Sequence, residues 1–318
     1  MADVQRAQHR RSVDGVLLLD KPHGLTSNAA LQIVKRLFHA RKAGHAGTLD
    51  PLATGLLPIL FGEATKFAFL LLDAEKAYLA RIVLGATTTT GDAEGAIVER
   101  RPVRVGTQDV AQVLAQFRGE IEQVPPMYSA LKHEGRPLYK YARAGQQLER
   151  KPRPVRIEAL ELVDLNSECL DIRVRCSKGT YIRTLAEDIG AALGTGAHLG
   201  ALRRVATAAW RIDQAFPLAR LEAMSEPERA ACLQLPEVLL GGLPRITLGA
   251  AEADGFRQGR ACAGQGQGPG RHAVFDDECR LVGIGEVAGD GQLHPRRLLR
   301  TAEFERSAQP AEKHRETL

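Results

Sequence analysis

The amino-acid sequence has few of the features that mark secreted, metal-binding or membrane proteins. Its five cysteines are odd in number and have no C-x-x-C spacing, so neither a disulfide framework nor a structural zinc site is expected. Its nine histidines include no H-x-x-x-H pair, and we therefore expect no metal. The apolar run FAFLLL is far shorter than the roughly 20 residues that a membrane span requires.

The N-terminus lacks the apolar core of a signal peptide, and residues 1–13 are interpreted as a short basic tail. Together with the missing membrane span, this predicts a cytoplasmic protein. The chain has 43 lysines and arginines against 38 acidic residues, a modest excess that favours a polyanionic partner only weakly. Its 318 residues are enough for about two domains.

The periodicity of apolar residues predicts both strands and helices. Residues 15–19 predict a buried strand, and Ser27 is expected to cap the helix that follows. Strict alternation in residues 169–176 predicts a half-buried strand, and helical spacing predicts helices after Thr107 and from Ile182. Because these elements are mixed without regular βαβ alternation, the pattern predicts an α+β fold.

Two further segments differ from this pattern. Residues 125–154 combine prolines, cations and three tyrosines without a clear period, which fits either a solvated loop or a basic, aromatic surface for nucleic acid. Residues 243–304 have short apolar runs between glycine-rich turns and predict a small all-β module. Residues 305–318 are interpreted as a polar tail.

The glycine-rich stretch GHAGTLDPLATG, residues 44–55, contains a single acidic residue, Asp50. It lacks the G-K-[ST] ending of a phosphate-binding loop, and the chain has no G-x-G-x-x-G, so nucleotide binding is weakly supported. Asp50 is therefore either a turn or cap residue, which is the usual role of such an aspartate, or a reactive group held on a rigid loop.

Several motifs resemble, in order, those of the TruB family of tRNA pseudouridine synthases. The resemblance covers most of residues 14–214 and rests on DKPHGLTS, GHAGTLDPLATGLLPI, KAYLARIVLG, PPMYSALK, SKGTYIRTLAEDIG and AHLGALRR. HAVFDDECRLVGIG and GQLHPRRLL resemble a PUA RNA-binding domain more loosely. Val205 stands where the family usually has Thr, and Ala208-Ala209-Trp210 where it usually has Gly-x-Phe.

The resemblance implies a fold and a reaction. The fold would be a central mixed, mostly antiparallel sheet flanked by helices in residues 14–242, with a PUA-like domain in residues 243–304. The reaction would cleave the N-glycosidic bond of uridine, rotate the base and rejoin it through C5, without a cofactor. Asp50 would be its carboxylate, acting either as a nucleophile on the ribose or as a base in an elimination.

The resemblance also implies roles for other side chains. Arg183 would form a bidentate pair that keeps Asp50 ionised and oriented. Tyr78 would stack on a flipped base, and Tyr181 would assist proton transfer near C5. The remaining candidates would contact the substrate: they are His45, Leu202, Lys21, Lys132 and Arg136.

The implied substrate is the uridine at position 55 of tRNA, in the TΨC loop, because enzymes of RNA read bases that can splay out of a loop. The insertion at about 125–154 would close over that loop. We expect no obligatory protein partner and no membrane association. One alternative is a non-catalytic tRNA-binding or tRNA-folding protein, and another is a guide-dependent synthase that relies on partner proteins.

Overall fold

The computed structural model describes residues 10–300, so that most of the basic tail and all of residues 305–318 lie outside the described residues. No helix within the described part of the chain is long and apolar enough to cross a membrane. The α-helices are α1 (Ser27–Leu37), α2 (Ala68–Asp73), α3 (Thr107–Gln116), α4 (Leu138–Arg143), α5 (Ile182–Ala192), α6 (Leu218–Ala223), α7 (Glu226–Ala231) and α8 (Ala250–Arg257). Three 3₁₀ helices span Gly62–Phe67, Ile212–Gln214 and Pro236–Leu240.

The strands fall into two groups along the chain. The first group is β1 (Gly15–Lys21), β2 (Ala43–His45), β3 (Thr54–Phe61), β4 (Lys76–Leu84), β5 (Ala86–Thr88), β6 (Ile97–Arg100), β7 (Gly119–Gln123), β8 (Lys132–His133), β9 (Arg136–Pro137), β10 (Arg153–Leu165), β11 (Cys169–Cys176), β12 (Ala197–Thr207), β13 (Trp210–Arg211) and β14 (Phe216–Pro217). The second group is β15 (Arg245–Leu248), β16 (Cys262–Ala263), β17 (Gly270–Asp276), β18 (Leu281–Val287) and β19 (Gln292–Leu298).

The main sheet has ten strands, eight of them in the order β14-β1-β3-β12-β4-β11-β10-β7, with β2 beside β3 and β13 beside β12. Among the strand pairs of this sheet within residues 10–300, β1–β14 and β3–β12 are parallel and the others are antiparallel. The second sheet has five strands in the order β15-β17-β18-β19-β16. These two sheets confirm the predicted α+β class, with a mixed and mostly antiparallel sheet and a separate small β domain.

Helices cover the main sheet through two apolar clusters. One cluster joins α3 and α5 to β4, β10 and β11, and includes the buried residues Ile172 and Leu185. The other joins α1 to β1 and β3. A third cluster connects the two sheets, because Phe67 and Leu60 pack with Ile284 of the small domain. The C-terminal domain therefore packs against the main sheet through this apolar cluster.

The predicted first helix is present, but its cap is one residue earlier than predicted. The Thr26 side chain accepts a hydrogen bond from the Ala29 N–H at 3.0 Å and is the N-cap. Ser27 is the first helical residue and is buried, and its hydroxyl bonds the backbone of Leu49 instead. The sequence prediction of Ser27 as the cap was wrong, since two adjacent hydroxyl residues offer the same local signal.

The turn between β12 and β13 has a residue in the left-handed region. Ala208, which stands where the family usually has glycine, has φ of 52°. This left-handed conformation costs an L-residue with a Cβ about 1–2 kcal/mol. Trp210, which takes the place of the family's phenylalanine, is 8% exposed and packs in the cluster between the two sheets. The departures from the family motif therefore change the turn and its core residue while the strands stay paired.

Residues 125–154 contain local structure that the sequence does not predict. They form the two-residue strands β8 and β9, which pair as a hairpin, followed by α4. The Arg136 guanidinium lies 4.9 Å from the centre of the Tyr141 ring, and the Arg143 guanidinium lies 5.5 Å from that of Tyr139. Cations are thus held on aromatic rings at the surface of this insertion.

Candidate active site

The loop that carries Asp50 joins β2 to β3 and is anchored by its own apolar side chains. Leu49 and Leu52 are 4% and 7% exposed and belong to the core beneath α5. The Ser27 hydroxyl donates to the Leu49 carbonyl oxygen at 3.0 Å and accepts from the Leu49 N–H at 2.8 Å. The backbone on the N-terminal side of Asp50 is therefore fixed, as a loop that presents chemistry needs to be.

Two glycines of this loop are required by its close approach to β12. Gly47 and Gly55 have φ of +82° and +103°. A Cβ at Gly55 would lie 2.3 Å from the carbonyl oxygen of Arg204, and one at Gly47 would lie 3.0 Å from the Arg204 Nη1. The glycine-rich composition therefore serves the packing of the loop against a strand.

Asp50 forms an ion pair with Arg183, which lies in the first turn of α5. The Arg183 Nη2 is 2.9 Å from the Asp50 Oδ2. The structure gives this single contact, so the prediction of a bidentate pair was wrong. The physical reason is that the guanidinium also serves other acceptors: its Nη1 donates to the Thr90 carbonyl at 3.2 Å and its Nη2 donates to the Tyr128 carbonyl at 2.5 Å.

A second carboxylate lies behind the same guanidinium. The Asp92 Oδ2 is 3.5 Å from the Arg183 Nη1, and Asp92 is 3% exposed. The Asp92 Oδ1 accepts hydrogen bonds from the Thr90 hydroxyl and, at 3.1 Å, from the Glu94 N–H. Asp92 is therefore held rigidly, and it pairs with the Nη1 of the arginine while Asp50 pairs with the Nη2.

The surroundings of Asp50 act on its pKa in opposite directions. Burial in the cleft raises the pKa of this carboxyl, the Arg183 charge lowers it, and the Asp92 charge raises it again. The net direction is upward, so the ion pair only partly offsets the loss of hydration. The pKa of Asp50 is therefore closer to neutral pH than that of an ordinary aspartate, as is common for reactive groups.

Tyr78 lies on β4, directly across from Arg204 on β12. Tyr78 is 9% exposed, and burial raises the pKa of its hydroxyl while the charge of Arg204 lowers it. Leu202 precedes Arg204 by two residues, so the two side chains share one face of the strand. An aromatic ring and an apolar side chain therefore form adjacent walls beside Asp50.

These walls enclose a cleft of about 360 Å³. It brings together five of the side chains that the sequence singled out, and Lys76 and Arg204 in addition. Burial raises the pKa of the Tyr181 hydroxyl, which the Ser129 side chain adjoins. The predicted residues in the cleft are Asp50, Tyr78, Tyr181, Arg183 and Leu202.

His45 lies in a second cavity, of about 520 Å³, on the other side of Asp50. Asp50 and Arg183 line both cavities, while Tyr139 and Arg143 of the insertion line only the second. The His45 Nδ1 is buried and has no hydrogen-bond partner among residues 10–300, and burial lowers the pKa of the ring. Asp50 therefore stands between two spaces, one of them bordered by a neutral imidazole.

Lys21 differs from its prediction as a substrate contact, because its side chain is 0% exposed. Its Nζ donates to the carbonyl oxygens of Pro22 and Leu25, at 2.9 and 2.6 Å. Burial lowers the pKa of this ammonium to about 8. Lys21 therefore holds the turn after β1 and lines neither of the two cavities beside Asp50.

Lys132 and Arg136 are exposed on the β8–β9 hairpin and line neither cavity. Leu131, which precedes the hairpin, does line the first cleft. Lys132 therefore directly follows a residue of the cleft, while Arg136 lies on the partner strand of the hairpin.

Sequence reasoning missed Asp92, Arg204 and Lys76. Asp92 lies in the polar stretch TTTTGDAEG, where a buried carboxylate has the same local signal as a turn residue. Arg204 had a usable signal, because it follows Leu202 by two residues in a strand and must share its face. Lys76 opens the motif KAYLARIVLG, but nothing in its local sequence shows that its ammonium donates to the carbonyls at the end of α2.

Within residues 10–300, no group of three or more His, Cys, Asp or Glu side chains is placed to hold a metal ion. All five cysteines are free.

Comparison with known proteins covers nearly all of the described chain. Residues 35–182 match the model of the TruB family pseudouridylate synthase N-terminal domain. Residues 183–240 match the tRNA pseudouridylate synthase B C-terminal domain, and residues 244–299 match the C-terminal domain of pseudouridine synthase II TruB.

Whole-chain relatives agree with the domain models. The tRNA pseudouridine synthase B of Aromatoleum aromaticum is 54% identical over 94% of this chain and 97% of its own length. That of Azoarcus sp. is 53% identical over 94% of this chain and 99% of its own.

Solved structures give the same fold. In a Cbf5-Nop10-Gar1 complex, a chain that is 28% identical superposes with a TM-score of 0.67, covering 86% of this chain and 78% of its own. A chain of an H/ACA RNP bound to a substrate RNA, at 24% identity and a TM-score of 0.68, covers 91% of this chain and 86% of its own, and supports the fold alone. With its Asp50 loop, its paired arginine and three matching domain models, the chain belongs to the TruB family of pseudouridine synthases.

Proposed function

We propose that the protein isomerises uridine to pseudouridine at position 55 of tRNA, in the TΨC loop, with Asp50 as its catalytic carboxylate. The observation that carries the proposal is the position of Asp50. It lies between two cavities, 2.9 Å from a buried arginine, in a family whose relatives are named tRNA pseudouridine synthase B.

The chemistry of the cleft fits a reaction in which the detached base stays in the site until it is rejoined to the ribose. A base that is detached from its ribose has to be kept, turned and rejoined, so the site needs an enclosed space and one reactive carboxylate. Asp50 can attack the ribose as a nucleophile or remove a proton in an elimination, and its geometry serves both pathways. Glycoside hydrolysis would call for a second carboxylate as acid, and Asp92 is committed to Arg183.

The cleft suits a nucleotide that has been flipped out of its stack. Tyr78 and Leu202 offer an aromatic and an apolar wall for the base, and Tyr181 offers a hydroxyl for proton transfer. On the other side of Asp50, His45 borders the space that an adjoining nucleotide would occupy. We expect no cofactor, because every step can be served by these side chains.

Substrate RNA would also contact regions outside the cleft. We assign residues 14–242 to the catalytic domain and residues 243–304 to a PUA-like RNA-binding domain. The insertion at 125–154 would hold the TΨC loop through its exposed cations, Lys132 and Arg136 among them. A chain of an H/ACA RNP bound to RNA shares the fold. We expect this chain to act on free tRNA without an obligatory protein partner, because the insertion supplies a basic surface of its own.

The test is conversion of unmodified tRNA transcript by the purified chain, in buffer with a chelator, followed by mapping of pseudouridine. The Asp50→Asn variant should lose the activity and keep its affinity for tRNA. Its folding should be preserved. Folding raises the pKa of the Asp50 carboxyl, so the ionised carboxyl lowers the stability of the folded protein above that pKa. The amide of asparagine carries no charge and avoids this cost.

The outcomes separate the candidate functions. Substantial turnover by Asp50→Asn would remove Asp50 from the mechanism. A tRNA-folding protein without catalysis would give no pseudouridine with either form, and Asp50→Asn would keep its effect on tRNA folding. Modification at another position would retain the enzyme and refute the assignment to position 55.

A further inference from the structure

Arg204 is the largest fully buried side chain of the described chain, at 1% exposure. Among residues 10–300, no carboxylate forms an ion pair with it, and burial lowers the pKa of its guanidinium. A guanidinium without a counter-ion loses its hydration on burial and stabilises the fold poorly. Its cost to stability points to a role in function.

The guanidinium joins three separate parts of the candidate active site. Its Nε donates to the Leu56 carbonyl at 2.7 Å, and its Nη2 donates to the Gly47 carbonyl at 2.9 Å. Its third neighbour is Tyr78, which faces Arg204 across the β4–β12 strand pair. These neighbours belong to β3, to the loop that carries Asp50 and to the strand that carries the aromatic wall.

The backbone is shaped to admit this side chain. A register shift in β12 lies between Arg204 and Ala206, and such bulges re-aim the side chains around them. On the loop side, Gly47 lies against the guanidinium so closely that a Cβ would be 3.0 Å from its Nη1. The strand and the loop are therefore both adapted to one arginine.

Resting on the function proposed above, we propose that Arg204 is a positioning residue that locks the Asp50 loop and the Tyr78 ring into one register. The planar fork of arginine presents several donors at fixed angles, which the single ammonium of lysine does not reproduce. Arg204 thereby sets the distance between the reacting carboxylate and the ring that faces the base. Its own atoms take no part in bond making.

The chain offers a matched control in the preceding residue. Arg203 points to the opposite face of β12 and pairs with Asp20 through two contacts of 3.1 and 2.7 Å. Arg204→Lys and Arg203→Lys each keep the charge and shorten the hydrogen-bonding group, so the pair compares the loss of buried contacts with the loss of partly exposed ones.

The first experiment measures single-turnover conversion and tRNA affinity for both variants. Arg204→Lys should lower the rate constant about 100-fold with tRNA affinity within about threefold of wild type, because a misplaced carboxylate acts on the chemical step. Arg203→Lys should keep its rate constant within about threefold. A rate constant for Arg204→Lys within that same range, or an equal loss in both variants, would overturn the proposal.

The second experiment is hydrogen exchange of residues 44–55, which does not depend on activity. Arg204→Lys should speed exchange in this loop, and so should Tyr78→Phe, which removes only the hydroxyl of the ring that faces Arg204. If the Tyr78 hydroxyl acts only in the reaction itself, exchange in the loop should be unchanged in Tyr78→Phe. That result would overturn the proposed coupling between Arg204, Tyr78 and the Asp50 loop. It would do so even if Arg204→Lys fails to fold. A wild-type chain that makes no pseudouridine would refute the proposed function, while the exchange result would still decide the role of Arg204.

Discussion

The Arg183 guanidinium lies 2.9 Å from the Asp50 carboxylate, yet the arginine side chain is 5% exposed and the aspartate 45%. The buried partner is held by the carbonyl oxygens of Thr90 and Tyr128 and by Asp92, so it does not depend on Asp50 for its position. A fixed cation thus faces a carboxylate that remains open to the cleft. This asymmetry favours a site in which Asp50 can change partners during a reaction while Arg183 stays in place.

Asp92 should matter for the rate and little for binding. Asp92→Asn removes the charge that orients Arg183 and keeps the size of the side chain, so we expect the single-turnover rate to fall about 10- to 100-fold. The affinity for tRNA should be unchanged because Asp92 is buried. Stopped reactions with excess enzyme measure the rate, and filter binding measures the affinity.

Glu94→Gln is the matched control for Asp92→Asn, since it alters an exposed carboxylate in the same turn. A rate for Asp92→Asn equal to that of Glu94→Gln would show that Asp92 has no part in orienting the arginine.

The pKa of Asp50 should respond in opposite directions to its two charged neighbours. Arg183 lowers this pKa and Asp92 raises it. Arg183→Gln should therefore move the Asp50 pKa upward, and Asp92→Asn should move it downward. In the proposed reaction Asp50 acts in its ionised form, so the rate of the wild type should fall on acidification at a pH above the ordinary aspartate value of about 3.9.

NMR titration of aspartate carboxyl carbons, with the Asp50 signal assigned from Asp50→Asn, measures these shifts for all three proteins without an activity assay. Shifts of the same sign in Arg183→Gln and Asp92→Asn would contradict the electrostatic account.

The insertion should contribute to RNA affinity through phosphate contacts. Replacing Lys132, Arg136 and Lys140 by alanine should weaken tRNA binding and flatten its dependence on salt, by up to about 0.7 in the log–log slope for each lost contact with single-stranded RNA. The chemical step on bound tRNA should change little, because Lys132 and Arg136 line neither cavity. Binding across a salt series measures both effects.

A charge-matched control is available on another exposed segment. Arg100, Arg101 and Arg104 are exposed and line neither cavity. Their replacement by alanine should leave the salt slope closer to wild type than the insertion variant does. Parallel salt series of equal affinity for wild type and the insertion variant would mean that the insertion is a solvated loop.

The β12–β13 turn offers a gain in stability. Ala208→Gly relieves a left-handed conformation at an exposed position, and we expect it to raise the free energy of unfolding by about 1 kcal/mol. Ala209→Gly, at the next exposed position, should lower the free energy of unfolding by about 0.5–1 kcal/mol, because it only adds flexibility to the unfolded chain. Urea titration of both variants tests the pair, and equal effects of the two substitutions would refute the role of φ.

Local sequence patterns determined the elements that lie around the site. The alternation of Cys169–Cys176 became β11 with its apolar residues buried, and the helical spacing after Thr107 and Ile182 became α3 and α5. Such patterns are readable because each strand or helix buries one face with a fixed period. The glycine-rich motif likewise singled out Asp50 and pointed to the family to which the chain belongs.

Tertiary structure decided what surrounds Asp50. Asp92 and Arg204 come from segments more than 40 residues and more than 150 residues away along the chain, respectively, and their contacts with the site depend on the packing of these segments. The same holds for Lys21, a candidate substrate contact whose burial makes it a support for the turn after β1. Burial, ion-pair geometry and pKa depend on groups that only the folded chain brings together, whereas the period of a strand depends on its neighbours in sequence.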